Sequence, residues 1–94
     1  MPKYYPYKIC GYYLYSTEHC IIEAMHVHAS DRELSENNSA KLFVYQNGDT
    51  KINRKGSVND KDMKVIQAYI KVNHEQMYQK WKSRSDTGYY NKGQ

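Results

Sequence analysis

The sequence predicts an α+β domain: an antiparallel sheet of three to four strands with a long C-terminal helix packed on one face. Three observations predict it. Apolar and polar residues alternate with a period of two in the first half of the chain, an Asn-Gly pair separates two such runs, and after Gly56 the apolar residues recur at helical spacing. At 94 residues the chain is long enough for one core and too short for two, so residues 1–94 are read as a single domain.

Residues 8–16, Lys-Ile-Cys-Gly-Tyr-Tyr-Leu-Tyr-Ser, are β-branched and aromatic and read as a first strand, with Gly11 marking a bulge or a close backbone approach. Residues 24–29 alternate, with Met25, Val27 and Ala29 on one face and Ala24, His26 and His28 on the other. Residues 30–39 are polar and turn-forming, a loop. Ala40 to Tyr45 alternate again, Gln46-Asn47-Gly48-Asp49 reads as a hairpin turn, and Thr50 to Arg54 form a short charged return strand suited to a sheet edge.

Ser57 is expected as helix N-cap, with Asp60 in the place of a capping-box acid. Met63, Ile66, Ile70, Met77 and Trp81 then make one apolar stripe, on which Asn73 or His74 also falls. No Pro or Gly interrupts residues 57–87, so one long helix follows, or two with a bend near Asn73. Trp81 is expected to anchor the helix on the sheet, and Asn73 to bond strand or loop backbone. Asp86-Thr87-Gly88 ends the helix. The expected ordered core is about residues 8–85, between mobile tails.

Composition narrows the class. The chain is 39% hydrophobic and 26% charged, as folded soluble domains are, and no apolar run is long enough to span a membrane. The N-terminus lacks the apolar segment of a signal peptide, which points to the cytoplasm. Cys10 and Cys20 are too few for a disulfide scaffold and are expected to stay reduced there. Eleven Tyr against one Phe and one Trp suit a thin two-layer core, and equally a face on which bases stack. The net charge of +4 is uneven: residues 61–94 carry seven basic groups against three acidic, while the rest balances. That is either a solvated lysine-rich helix face or a footprint for nucleic acid or an acidic protein.

The densest reactive group is His19 to His28. Residues two apart on a strand project from one face about 6.6 Å apart, so His26 and His28 are placed to act together. With Glu23 they are the candidate catalytic residues; a histidine pair can divide the roles of base and acid in RNA cleavage. Glu23 joins them only if the strand begins after a turn near Ala24. Lys41, Lys51, Arg54 and Lys55 are candidate cations for a phosphate. Tyr45 and the helix cations Lys80, Lys82 and Arg84 complete the candidate ligand or nucleic-acid surface. A catalytic zinc usually takes three protein ligands, and two imidazoles fall short of that; if a metal binds, His26 and His28 are its ligands, with Cys20, His19 and His74 as the other donors. No phosphate-binding loop, dinucleotide fingerprint or nucleophile motif is present, and no cofactor is expected.

The order of these landmarks resembles a known bacterial family. Gly11-Tyr-Tyr-Leu-Tyr-Ser16 leads to Glu23, His26 and His28; Ala40-Lys41 opens the next strand; Asn53 and Gly56 precede a helix that carries Asn73 and ends near Trp81-Lys82. Over roughly residues 9–83 this is similar to the family catalogued as domain of unknown function 4160, whose members often read Glu-Pro-x-His-x-His-Val before the Ala-Lys strand. Here Glu23-Ala24-Met25 replaces Glu-Pro-x, residues 30–39 form a longer loop, and Asn53-Arg54-Lys55-Gly56 replaces a more apolar turn; the acid and both histidines keep their places. The resemblance implies one component of a two-gene, toxin–antitoxin-like module in a bacterial or phage cytoplasm, with a partner protein and nucleic acid as target.

Three functional classes fit these residues. The first is a module component that binds a partner protein and nucleic acid, with or without His-based ribonuclease-like activity. The second is a non-enzymatic protein that sequesters a nucleotide-like ligand or inhibits another protein. The third is a small zinc protein. With the second class goes a homodimer by strand addition at the hairpin edge, against which the short charged return strand argues.

Overall fold

The structure, a computed structural model, describes residues 3–16, 25–31 and 39–84, with side chains described as far as Trp81. Four strands, β1 (Tyr13–Tyr15), β2 (His26–Ser30), β3 (Ala40–Val44) and β4 (Thr50–Arg54), form one antiparallel sheet in the order β1-β2-β3-β4, followed by a single helix, α1 (Asp60–Arg84). This is the α+β arrangement expected from the sequence, with one continuous helix and no break at Asn73.

Register sorts the side chains into two layers. Leu14 pairs with Ala29, Val27 with Leu42, and Ala29 with Ala40, so these residues share one face. That face joins Met63, Ile66, Ile70, Met77 and Trp81 of the helix in one buried core. The apolar stripe at helical spacing and the apolar half of each strand are therefore two sides of a single interface. Tyr15, His26 and His28 lie on the opposite face of the sheet, as do Tyr13, Lys41 and Phe43.

Several local expectations are corrected. Residues 8–16 are not one strand. Cys10 and Gly11 both have positive φ, 54° and 87°, and Ile9 and Tyr12 exchange backbone hydrogen bonds across them. This is a two-residue reversal of the primed type, and Gly11 marks a turn instead of a bulge. The helix begins at Asp60, and its cap is Asn59 in place of Ser57: the Asn59 side-chain oxygen accepts the Asp62 amide at 2.8 Å. Asn73 donates to the Tyr69 carbonyl of its own helix at 2.9 Å and does not reach strand or loop backbone.

Residues ahead of the expected ordered core are packed. Tyr4 and Tyr5 are buried, the Tyr4 amide donates to the Leu14 carbonyl, and the Tyr4 hydroxyl donates to the His26 carbonyl at 2.9 Å. Lys80 donates to the Tyr4 carbonyl and lies over the Tyr5 ring. The N-terminal segment is thus held by sheet and helix together.

Candidate functional site

The site is assembled on the sheet face that carries the histidines. Strict alternation along β2 puts His26 and His28 there, and antiparallel pairing brings Tyr15 beside His28 and Phe43 beside His26. His28 is fully buried and His26 is 1% exposed. Their rings meet edge to face with centroids 5.0 Å apart, and the Tyr15 ring stacks on His28 at 5.5 Å. Trp81 closes the other end, edge-on to His26 at 5.2 Å. Trp81 reaches this point from the last turn of α1.

Ser39 is the polar partner. Its hydroxyl lies 3.0 Å from His28 Nδ1, and its carbonyl accepts Arg54 Nε at 2.9 Å. Gly56 makes this placement possible: its φ is +59°, and a Cβ there would come within 2.6 Å of Ala40 N and Ser39 C. Among the described residues, the buried His28 Nε2 and Trp81 Nε1 have no hydrogen-bond partner. Burial, reinforced by the charges of His26, Lys41 and Arg54, lowers the His28 pKa from 6.5 to about 3. His28 is therefore a neutral imidazole at physiological pH.

Around this sealed centre the same face is cationic and aromatic. Lys3 and Lys8 lie over the Tyr13 ring at 4.3 and 5.3 Å, and Lys41 lies 5.3 Å from the Phe43 centroid. Arg54 pairs with Lys41 and Lys51 with Phe43 across β3 and β4. Tyr13, Lys41, Phe43 and Arg54 are half-buried and Lys51 is exposed.

The structure brings His26, His28, Lys41, Lys51 and Arg54 onto this one face. Tyr45 is buried, closes the hairpin by accepting the Gly48 amide, and lines an open depression with Thr50, Gln67 and Lys71. Lys55 pairs with Asp60 at the start of the helix, and Lys80 engages the N-terminal segment. His74 turns Nδ1 to the Lys71 carbonyl. Glu23, His19 and Cys20, and the loop of residues 32–38, lie outside the described residues, as do the side chains of Lys82 and Arg84. Among the described residues no three His, Cys, Asp or Glu are grouped to hold a metal ion, and no helix is long and apolar enough to cross a membrane.

Sequence reasoning missed Ser39, Tyr13, Tyr15, Phe43, Lys3 and Lys8. Tyr13, Tyr15 and Phe43 had a usable signal, because they take the polar-side parity of β1 and β3. Ser39 and the two N-terminal lysines had none, since each reaches the site through a turn.

Comparison with known families agrees with this layout. The family model described as Domain of unknown function (DUF4160) matches residues 11–82. The chain belongs to this family. The matched span runs from the Cys10-Gly11 turn through the helix to the residue after Trp81, and so takes in every strand of the sheet and both histidines. No curated protein and no solved structure matches the chain.

Proposed function

We propose that this family member is a cytoplasmic component of a bacterial or phage toxin–antitoxin-like module, and that it binds single-stranded nucleic acid beside a partner protein. The observation that carries the reading is the outer sheet face, where Lys3, Lys8, Lys41, Lys51 and Arg54 surround Tyr13 and Phe43. Cations neutralise phosphates, and flat rings between them accept bases without regard to sequence.

Binding is favoured over cleavage by the state of His28. A group that stays neutral down to about pH 3 has no imidazolium proton to give a leaving group at neutral pH. The paired histidine rings, with His28 neutral, then serve as a packed floor under the cationic rim.

The test is fluorescence anisotropy with a labelled pyrimidine oligoribonucleotide over a salt series. Binding should weaken linearly in log salt, and Lys41→Ala, Lys51→Ala and Arg54→Ala should each lower the slope by about one. Lys64→Ala, on the exposed side of the helix, should leave the slope unchanged. Binding insensitive to salt, or an equal loss in Lys64→Ala, sinks the reading. An oligomer that is cut, with cutting abolished in His26→Gln, replaces it with the ribonuclease alternative.

A further inference from the structure

Among the described residues the exposed large apolar side chains are Tyr7, Ile52, Val65 and Val72, and two of them share one strip of α1. Val65, Ala68 and Val72 recur at intervals of three and four, so they line one side of the helix. That side is turned away from the buried stripe of Met63, Ile66, Ile70 and Met77. All three are exposed, Val65 at 44% and Val72 at 82%. Tyr7 widens the strip: its ring stacks on Tyr5, and Tyr5 meets the half-buried Tyr69 edge-on, about one turn from both valines. Apolar side chains scattered singly mean little, but a contiguous patch marks a surface that another molecule covers.

Charge and shape say what covers it. Lys61 continues the strip one turn before Val65. Lys71 borders the β3–β4 hairpin beside Ala68, and Lys64, two turns earlier, lies on the same flank. Lys61 and Lys64 are exposed and enter no ion pair among the described residues, while Lys71 is held by Asp49. Between residues 63 and 81 the helix carries a single acid, Glu75. An apolar strip edged by cations is complementary to an amphipathic helix whose own apolar face is flanked by Asp and Glu. Ala68, small and central, lets such a helix approach closely. A second copy of this chain fits poorly: packed antiparallel about Ala68, Lys64 would lie beside the copy's Lys71, and packed parallel, Lys61 would meet its own copy.

We propose that the Val65-Ala68-Val72 face of α1 docks an acidic amphipathic helix of a partner protein. This rests on the partner half of the reading above and names its surface. The face lies across the core from the cationic side of the sheet, so a partner seated there leaves that side open.

The experiment is fluorescence anisotropy with a labelled synthetic helix of about three heptads, Leu along its seam and Glu on both flanks, against a twin with Lys on the flanks. The full chain should bind the Glu-flanked helix at least about tenfold more tightly than the twin, and the difference should shrink as salt rises. Val72→Gln should weaken binding about tenfold through the lost apolar contact, and Lys61→Glu with Lys64→Glu by at least as much. Both variants should keep the wild-type circular dichroism, because these side chains are exposed. Val72→Gln should also bind the oligoribonucleotide as the wild type does, so the two halves of the reading can fail separately. Equal binding of the two peptides, no binding of either, or binding that survives Val72→Gln overturns the proposal. A dimer in sedimentation that Val72→Gln dissociates would assign the face to a second copy, and displacement of the peptide by the oligoribonucleotide would assign it to nucleic acid; each overturns it as well.

Discussion

Trp81, in the last turn of the helix, meets the His26 imidazole edge-on at 5.2 Å and 65°, and so joins the end of α1 to the first residue of β2. The indole belongs to the apolar core while His26 lies in the other layer, so this pair is where the two faces of the sheet communicate. Trp81→Ala should cost about 3–5 kcal/mol in urea unfolding. Trp81→Phe should cost less than half as much, because it keeps a ring against His26 and removes the buried, unpartnered Nε1. Equal losses in the two variants would show that the ring contact contributes little.

His28 couples stability to pH. In the unfolded chain its imidazole takes a proton near pH 6.5, but in the folded state only near pH 3. Between those values the unfolded chain binds more protons, so stability falls as pH falls, and the contribution is fully present above about pH 6.5. The slope should be at most about 1.4 kcal/mol per pH unit, the limit for one proton. The double variant His28→Leu, Ser39→Ala removes both partners of the 3.0 Å contact and should flatten the profile across this window. An unchanged profile would place the titration elsewhere.

Among the described residues, the glycines with positive φ, Gly11, Gly48 and Gly56, should rank in their sensitivity to alanine. At Gly56 the added carbon meets backbone at 2.6 Å, at Gly48 it meets the His74 ring at 2.6 Å, and at Gly11 it meets nothing within 4 Å. Gly11→Ala should cost only the conformational penalty, about 1 kcal/mol. Gly48→Ala should cost more and Gly56→Ala most, since backbone cannot rotate away as a side chain can. Thermal unfolding of the three variants checks the order, and a Gly11 variant as damaging as the Gly56 variant contradicts it.

The helix cap separates two adjacent candidates. Asn59→Ala should destabilise by about 1 kcal/mol, because its side chain accepts the Asp62 amide and donates to the Asp62 carboxylate. Ser57→Ala, two residues earlier and exposed, should be neutral. Asp62 also accepts the Tyr12 hydroxyl at 2.9 Å and the Cys10 thiol at 3.3 Å, bonds that hold its carboxyl below the usual range. Losing Asn59 should therefore also loosen the Cys10-Gly11 turn, seen as faster alkylation of Cys10.

Local pattern in the chain was enough to specify the set of elements and the side each residue faces. β4 runs from Thr50 to Arg54 as read, His26 and His28 share a face, and the stripe from Met63 to Trp81 is buried. These are local or periodic properties: alternation on a strand and recurrence on a helix follow from backbone geometry alone. The tertiary structure decided what each face meets. It sealed His26 and His28 beneath Tyr15 and Trp81, brought Ser39 to the His28 ring, and set Lys3 and Lys8 on Tyr13. It also chose Asn59 over Ser57 as the cap and turned Cys10-Gly11 into a reversal. The ring, Ser39 and lysine contacts join residues far apart in the chain, where strand register decides which groups come within reach, while the cap and the reversal are local choices between neighbouring candidates. Periodicity in one segment carries no information about the register of another. The protonation state of His28 follows the same logic, since it is set by burial and by cations on neighbouring strands.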